Sequence, residues 1–364
     1  MHKKKLLIII DNLKKGGAEV LLVGILPELN RKYDVVLVTL TKECDFPTEQ
    51  IACIEKFSLG FTGKLSFLLA VLQLKKIIKT TAPDFIHSHL FYSSLAARLA
   101  CPATIPLFYS VHNEMSKNVF NSNTIYKWLE KLSIRKNHSI IAVSKLVFED
   151  YVNTIQTTKQ HFILRNYIAD EYFQSPETGM VARDTRELRL IAVGNLKESK
   201  NYEYLVHSFI QLKDHPISLD IYGNTVYTGY AYFLELIRKY KLKVNFKGKV
   251  SNVKDLYSLY DVYIMSSKYE GFGIAAIEAM AMGLPVLLSD IPVLREVSFN
   301  NALFFDVEDS ECLSSLLLDI LKGKHDLSTL SQNGVEVAQQ YTKTKYLEEL
   351  YYIYDTISLP GTRL

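Results

Sequence analysis

Glu270 and Glu278 flank the run GFGIAAI with seven residues between them, in the stretch SSKYEGFGIAAIEAMAMGLPVLLSD from Ser266 to Asp290. The pattern predicts a buried strand from Val262 to Met265, then a loop carrying Glu270, Gly271, Phe272 and Gly273. A helix over Ile274 to Met282 follows, stopped by Gly283-Leu284-Pro285 before a second buried strand, Val286 to Leu288. Glu270 then falls in the loop and Glu278 about a turn and a half into the helix, so both can face one crevice at the strand ends. Glycines let backbone amides approach a ligand closely, and a helix N-terminus offers unpaired N–H groups to an anion. The combination suits a molecule with an anionic middle and hydroxyl-bearing ends, such as a nucleotide diphosphate sugar. The plainer reading is a glycine-containing turn with two solvated glutamates.

Other residues sit at equivalent places. Gly16-Gly17 follows the first strand and precedes a helix, without GxGxxG or a P-loop Lys-Ser/Thr. His87 and His89 are expected at the end of one strand, and His112, in SVHNE with Glu114, at the end of another. A lone histidine there is more often structural, but His112 and Glu114 fall where the strand ends should form a cleft. The HSH pair has no third ligand at a metal-binding spacing, and no Asp-x-Asp occurs, so a metal is not indicated. Gly194-Asn195-Leu196 closes a later strand, with Lys197 and Lys200 behind it. Lysines at a helix start oppose the dipole, and an anionic ligand would relieve that; two solvated lysines are the alternative. Gly223 and Lys247-Gly248-Lys249 are further loop positions on the same side, able to frame a base through backbone contacts.

The elements that must position these residues alternate along the chain. Near-continuous apolar runs such as Lys5 to Ile10 read as strands covered on both faces, and helical periodicity separates them. Strands are expected at Asp34–Leu40, Cys53–Leu59, Asp84–His87, Leu107–Val111 and Ser139–Val143, with helices at Ala18–Asn30 (kinked or shortened by Pro27), Lys64–Lys79, Ser93–Ala100 and Ile125–Lys136. A second alternation runs from strand Leu188–Val193 through helix Val253–Tyr260 and the stretch described first, to strand Ala302–Phe305 and three closing helical segments. This is a doubly wound α/β pattern repeated twice. Ligands of such sheets bind outside the carboxyl ends of the strands. The polar stretch Ile163 to Asp184, with Pro176 and Gly179, is the junction.

At 364 residues the chain exceeds what one core usually supports, which predicts two domains. An apolar fraction of 48% with 22% charged residues is that of a globular protein, and a net charge of +3 gives no case for nucleic acid. Cys44, Cys53, Cys101 and Cys312 are scattered and read as reduced thiols. The start MHKKKLLIIIDNL reads as a strand rather than a secretory segment, and no run approaches a membrane span. Two basic amphipathic stretches, Lys64 to Lys79 and Tyr126 to Lys136, suit either packing on their own sheet or contact with an anionic membrane surface.

The run SSKYEGFGIAAIEAMAMGLPVLLSD resembles the donor-site motif of retaining GT-B glycosyltransferases of family four. Gly16-Gly17-Ala18-Glu19, PDFIHSH (Pro83 to His89), Val111-His112, Ala142-Val143-Ser144, Asn166 and VGNLKESKN (Val193 to Asn201) fall in the family's order, so the likeness covers most of the chain. It implies two Rossmann-like domains facing a cleft, residues 1–167 on the acceptor side and 168–343 for the nucleotide sugar, with a tyrosine-rich helix in 344–364 returning to the first. It also implies roles. Glu278 accepts hydrogen bonds from the donor's ribose, Glu270 holds hydroxyls of the transferred sugar, and amides of Gly271, Phe272, Gly273 and Ile274 place sugar and phosphate. Lys200 neutralises the departing diphosphate, His112 steadies the developing oxocarbenium charge, and Gly16 and Gly17 approach phosphate or acceptor. Gly194, Lys197, Gly223 and Lys249 complete the donor site. Where the family commonly has arginine this chain has Asn195, which donates a hydrogen bond but carries no charge.

The expected activity is therefore a retaining, metal-independent hexosyl transfer needing no cofactor. The donor is a nucleotide-diphosphate sugar, a UDP-sugar ahead of GDP-mannose, and the acceptor a glycan or lipid-linked glycan of a surface polysaccharide. The expected location is the cytoplasm, free or peripheral at the inner face of the membrane. A sugar-nucleotide epimerase or hydrolase, and a silent donor-binding subunit, are the alternatives.

Overall fold

Apolar runs of four to six residues become strands here because helices cover both faces of each sheet. The computed structural model describes residues 3–121, 124–157, 160–173, 187–250 and 252–358. The stretch with Pro176 and Gly179, on which the sequence places the junction, lies outside them. The chain divides into two units, residues 1–167 with 343–364, and residues 168–342.

The first unit holds strands β1 (Lys5–Ile10), β2 (Asp34–Thr39), β3 (Glu55–Ser58), β4 (Phe85–His89), β5 (Leu107–Val111), β6 (His138–Ala142) and β7 (His161–Ile163). They form one parallel sheet in the order β3-β2-β1-β4-β5-β6-β7. Its helices are α1 (Gly17–Lys32), α2 (Lys64–Thr81), α3 (Phe91–Ala100), α4 (Met115–Asn118), α5 (Thr124–Ser133) and α6 (Lys145–Ile155). Pro27 does not shorten α1: the helix continues past it, because burial of Leu21, Leu22, Ile25, Leu26 and Leu29 along one face outweighs the bond that proline cannot donate. β4 extends to His89, so His87 lies within the strand rather than at its end. α6 and the edge strand β7 are additions to the expected pattern. Ser144 starts α6 by accepting a hydrogen bond from the Val147 amide at 3.2 Å.

The second unit holds β8 (Leu188–Val193), β9 (Ile217–Tyr222), β10 (Val244–Gly248), β11 (Val262–Met265), β12 (Val286–Ser289) and β13 (Leu303–Phe305), again all parallel, in the order β10-β9-β8-β11-β12-β13. Helices α7 (Tyr202–Gln211), α8 (Tyr230–Tyr240), α9 (Lys254–Tyr257), α10 (Ile274–Ala281), α11 (Pro292–Val297), α12 (Cys312–Leu321) and α13 (Leu327–Ala338) surround it. α9 is a single turn where the sequence suggests Val253 to Tyr260, and α11 was not expected.

The last helix, α14 (Lys343–Ser358), belongs to the first unit. Lys343 counts with it rather than with residues 168–342, since it opens the helix and its ammonium lies 3.2 Å from Glu28. The tyrosines of α14 have a packing role. Tyr354 is buried against Phe85 and Phe108, with ring centroids 4.9 and 5.2 Å away, and its hydroxyl lies 2.6 Å from His87 Nδ1. His87 Nε2 lies 2.8 Å from Ser110 Oγ, so this histidine is a satisfied core residue tying the helix to its sheet.

Candidate functional site: two strand switch points

Each sheet reverses its winding once. In the second unit the chain leaves β8 for β9 and β10 on one side, then returns to β11 on the other, so a crevice opens past the carboxyl ends of β8 and β11. Gly194 follows β8 and Gly223 follows β9, with φ of +156° and +153°. A Cβ on Gly223 would lie 2.1 Å from the Gly194 carbonyl oxygen, so the approach of these two loops requires glycine. Asn195 fastens the same loops: its Oδ1 accepts from the Asn224 amide at 2.9 Å, and the Leu196 amide bonds the Asn224 carbonyl at 2.9 Å. Lys249 is exposed just past β10, while Lys247 turns to Asp220 at 3.3 Å.

Lys200 sits in a short 3-10 turn (Glu198–Lys200), preceded by the exposed Lys197. The loop after β11 is stitched to that turn. Ser266 Oγ donates to the Lys200 carbonyl at 2.9 Å, and the Lys268 amide to the Ser199 carbonyl at 2.8 Å. The result places Lys200 Nζ 2.5 Å from Glu270 Oε1, which also accepts from Ser267 Oγ at 2.7 Å. Phe272 is buried edge-on against Tyr341, centroids 5.4 Å apart, and anchors the turn before α10. Gly273 takes φ +89° as the N-cap of α10, where a Cβ would meet Leu294 Cδ2 at 2.7 Å. The Ala276 amide bonds back to the Gly273 carbonyl, closing the first turn of α10 at the positive end of its dipole.

The first unit switches between β1 and β4. Gly16 caps α1, with the buried Glu19 folded back so that a Cβ on Gly16 would lie 2.5 Å from its Oε2. Asp11, just past β1, accepts from both the amide and hydroxyl of Ser93 at 2.7 Å, and burial raises its pKa. His112 Nε2 lies 3.3 Å from His89 Nδ1. Burial lowers the pKa of His112 to about 4 and that of His89 well below its usual range, so both rings are neutral at pH 7. Asp11 and His112 line a cavity of about 420 Å³. Its inner wall is Arg98, fully buried, paired with Glu130 and stacked over Tyr109 with 4.7 Å to the ring centre.

The sequence model of the family described as Glycosyl transferases group 1 matches residues 179–337, and that of Glycosyltransferase Family 4 matches residues 15–163. The chain belongs to this glycosyltransferase family. It is 31% identical over 211 residues to the O-antigen chain mannosyltransferase RfbU of Salmonella typhimurium, a match spanning 55% of this chain and 56% of the relative. It is 28% identical over 305 residues, 79% of this chain and 81% of the relative, to a Campylobacter jejuni enzyme, N-acetylgalactosamine-N,N'-diacetylbacillosaminyl-diphospho-undecaprenol 4-alpha-N-acetylgalactosaminyltransferase. Among solved structures, Anabaena Alr3699/HepE in complex with UDP superposes with a TM-score of 0.82 over 97% of this chain and 100% of the other, at 17% identity. That likeness establishes the GT-B fold.

In this glycosyltransferase the two glutamates are held differently. Glu270 is ion-paired, whereas Glu278 on α10 is half-buried with a pKa raised to about 7, through burial and the nearby charge of Glu171, against a hydrogen bond from Tyr172. The two meet indirectly at the buried Tyr263, whose pKa rises through burial and then through the charges of Tyr202, Glu270 and Glu278. A carboxyl with a raised folded-state pKa retains its proton while the unfolded chain releases it. Folding stability therefore falls as pH rises from about 4.5 to about 7. Glu278→Gln should remove that slope and, above pH 7, stabilise the fold by up to about 3 kcal/mol, read from urea melts across pH 4.5–8.

Gly194, Asn195, Lys200, Gly223, Glu270, Gly271, Phe272, Gly273, Ile274 and Glu278 thus cluster on the loops after β8, β9 and β11 and on α10. Gly16, Gly17 and His112 belong to the first unit. Sequence reasoning missed Asp11, Arg98, Glu130 and Tyr172. Only Arg98 left a signal, as a charge inside the small-residue helix SSLAARLA.

Proposed function

We propose that this glycosyltransferase moves a hexosyl group, with retention and without a metal, from a nucleotide-diphosphate sugar to a lipid-linked glycan in surface polysaccharide assembly. The observation that carries the reading is the cluster at the β8/β11 switch point, where a lysine, a carboxylate and a glycine-capped helix start converge. Lys200 and the first-turn amides of α10 would neutralise the leaving diphosphate, and Glu270 would accept hydrogen bonds from the sugar. Glu278, once ionised, would accept both ribose hydroxyls. Its raised pKa means that donor affinity should climb as pH rises through about 7.

In the transfer, the bond from the anomeric carbon to phosphate oxygen breaks, its electron pair leaving with the diphosphate. The acceptor oxygen bonds that carbon from the same face and its proton passes to the departing phosphate oxygen. A neutral His112 can stand near a sugar bearing positive charge without repelling it. The relatives support the acceptor class, one being named for O-antigen chains and the other for a saccharide on diphospho-undecaprenol.

A thermal-shift panel of nucleotides and nucleotide sugars, with and without EDTA, tests the donor side. One nucleotide-sugar class should raise the melting temperature regardless of chelator. A flat panel, or a shift abolished by EDTA, would overturn the reading. Donor breakdown that proceeds equally without acceptor would instead indicate hydrolysis or epimerisation.

A further inference from the structure

Beside the polar cavity of the first unit lies a groove of about 1060 Å³, lined chiefly by Phe61, Phe67, Leu95, Ile125 and Leu129. Tyr92 and Tyr126 line both spaces, their hydroxyls 3.3 Å apart, so one pair of rings is the wall between a polar chamber and an apolar one. The polar side is walled by a buried charge pair. Arg98 is 0% exposed, Glu130 neutralises its charge, yet its Nη1 has no hydrogen-bond partner among the described residues. An unpaired guanidinium N–H in a buried wall is costly unless a ligand oxygen or water meets it.

Two of the helices that line the groove, α2 and α5, also carry exposed apolar residues. Leu68, Leu69 and Leu72 of α2 and Ile125, Trp128 and Leu132 of α5 are each more than half exposed. Such a patch on one unit marks an apolar partner. The exposed charge on these two helices has one sign. Lys75, Lys76 and Lys79 of α2 and Lys127 and Lys131 of α5 are exposed, α2 has no acid, and the one acid of α5, Glu130, is turned inward to Arg98. At the mouth of the groove Lys42 stands beside Glu43, which is engaged by Lys14 at 2.6 Å. A hydrocarbon rim edged with lysines matches a chain emerging from an anionic lipid surface.

We propose that the two spaces are one bipartite acceptor site. The saccharide occupies the Asp11–Arg98–His112 chamber, the hydrocarbon tail of the same membrane-borne molecule lies in the groove, and Tyr92 and Tyr126 grip the junction. This rests on the transferase reading and adds to it where the lipid is held.

The test is a chain-length ladder by titration calorimetry: maltose, then hexyl, octyl and decyl maltoside, each below its critical micelle concentration and with no donor present. Affinity should rise about tenfold for every two methylenes that enter the groove. Ile125→Asp places a charge at the exposed mouth, and Thr62→Phe fills the groove from another exposed position, so neither disturbs the core. Both substitutions should flatten the ladder while leaving the nucleotide-sugar thermal shift unchanged. A flat ladder in the wild-type chain overturns the proposal, as does a slope that survives both substitutions, which would mean detergent adsorption elsewhere. Because the ladder is read without transfer, its failure leaves the donor-binding test standing, and a flat donor panel leaves the ladder readable.

Discussion

Lys200→Ala should lower kcat about 100- to 1,000-fold, the loss typical of removing one preorganised group aimed at developing charge. On the proposed reading the affinity for the intact donor should fall much less, because the ground-state diphosphate would keep the α10 amides while the departing one would need a full positive charge. The ion pair makes the experiment discriminating. Lys200 Nζ sits 2.5 Å from Glu270 Oε1, so alanine also leaves Glu270 with Ser267 as its remaining hydrogen-bonding side chain among the described residues. If the lysine served only to hold Glu270 in place, Lys200→Ala would change the preference between donor sugars and spare kcat. Glu270→Gln supplies the converse, keeping Lys200 free for the diphosphate while weakening acceptance of sugar hydroxyls. Single-turnover rates for two donor sugars on both variants separate these roles, and a lost selectivity with kcat intact in Lys200→Ala defeats the leaving-group assignment.

The difference between what the sequence disclosed and what it concealed follows sequence distance. β1, β5, β8 and β11 were legible because a strand covered on both faces is nearly continuously apolar, and few other local structures of that length are. The loop between Met265 and Ile274 was legible for a local reason too, its glycines interrupting the pattern before a helix of small residues, while the positive φ of Gly273 is a finding of the structure. β7 was not: three residues at a sheet edge, none of them buried, carry no periodicity. Neither was the strand order, which depends on right-handed crossovers between residues far apart in the chain. Asn195 shows the limit at a single residue. The missing arginine was visible, but that the asparagine carbonyl would lock the loop after β8 to Asn224, 29 residues on, was not. The pKa of Glu278 was hidden likewise, since burial of α10 and the approach of Glu171 and Tyr172 are tertiary facts.

The same distance conceals a fully buried ion pair in the first unit, where Glu130→Ala should destabilise the fold by about 3–5 kcal/mol. Arg98 on α3 and Glu130 on α5 are both buried, and their pairing is supplemented by Ser133 Oγ at 2.9 Å from Arg98 Nε and by Tyr151, which donates to Glu130 at 2.6 Å. Alanine would leave a guanidinium in a low-dielectric wall with its counter-charge gone, a state that neither Ser133 nor the Tyr109 ring can compensate. Arg98→Met combined with Glu130→Leu should instead fold almost as well as wild type, since both charges and both desolvation penalties disappear together. Urea melts of the single and double variants measure this coupling directly. The double variant then isolates function from folding: it should retain any donor-induced thermal shift yet bind maltose and its alkyl glycosides more weakly, having lost the polar wall of the chamber. A single substitution costing less than about 1 kcal/mol would mean that solvent reaches Arg98, as it does for surface pairs.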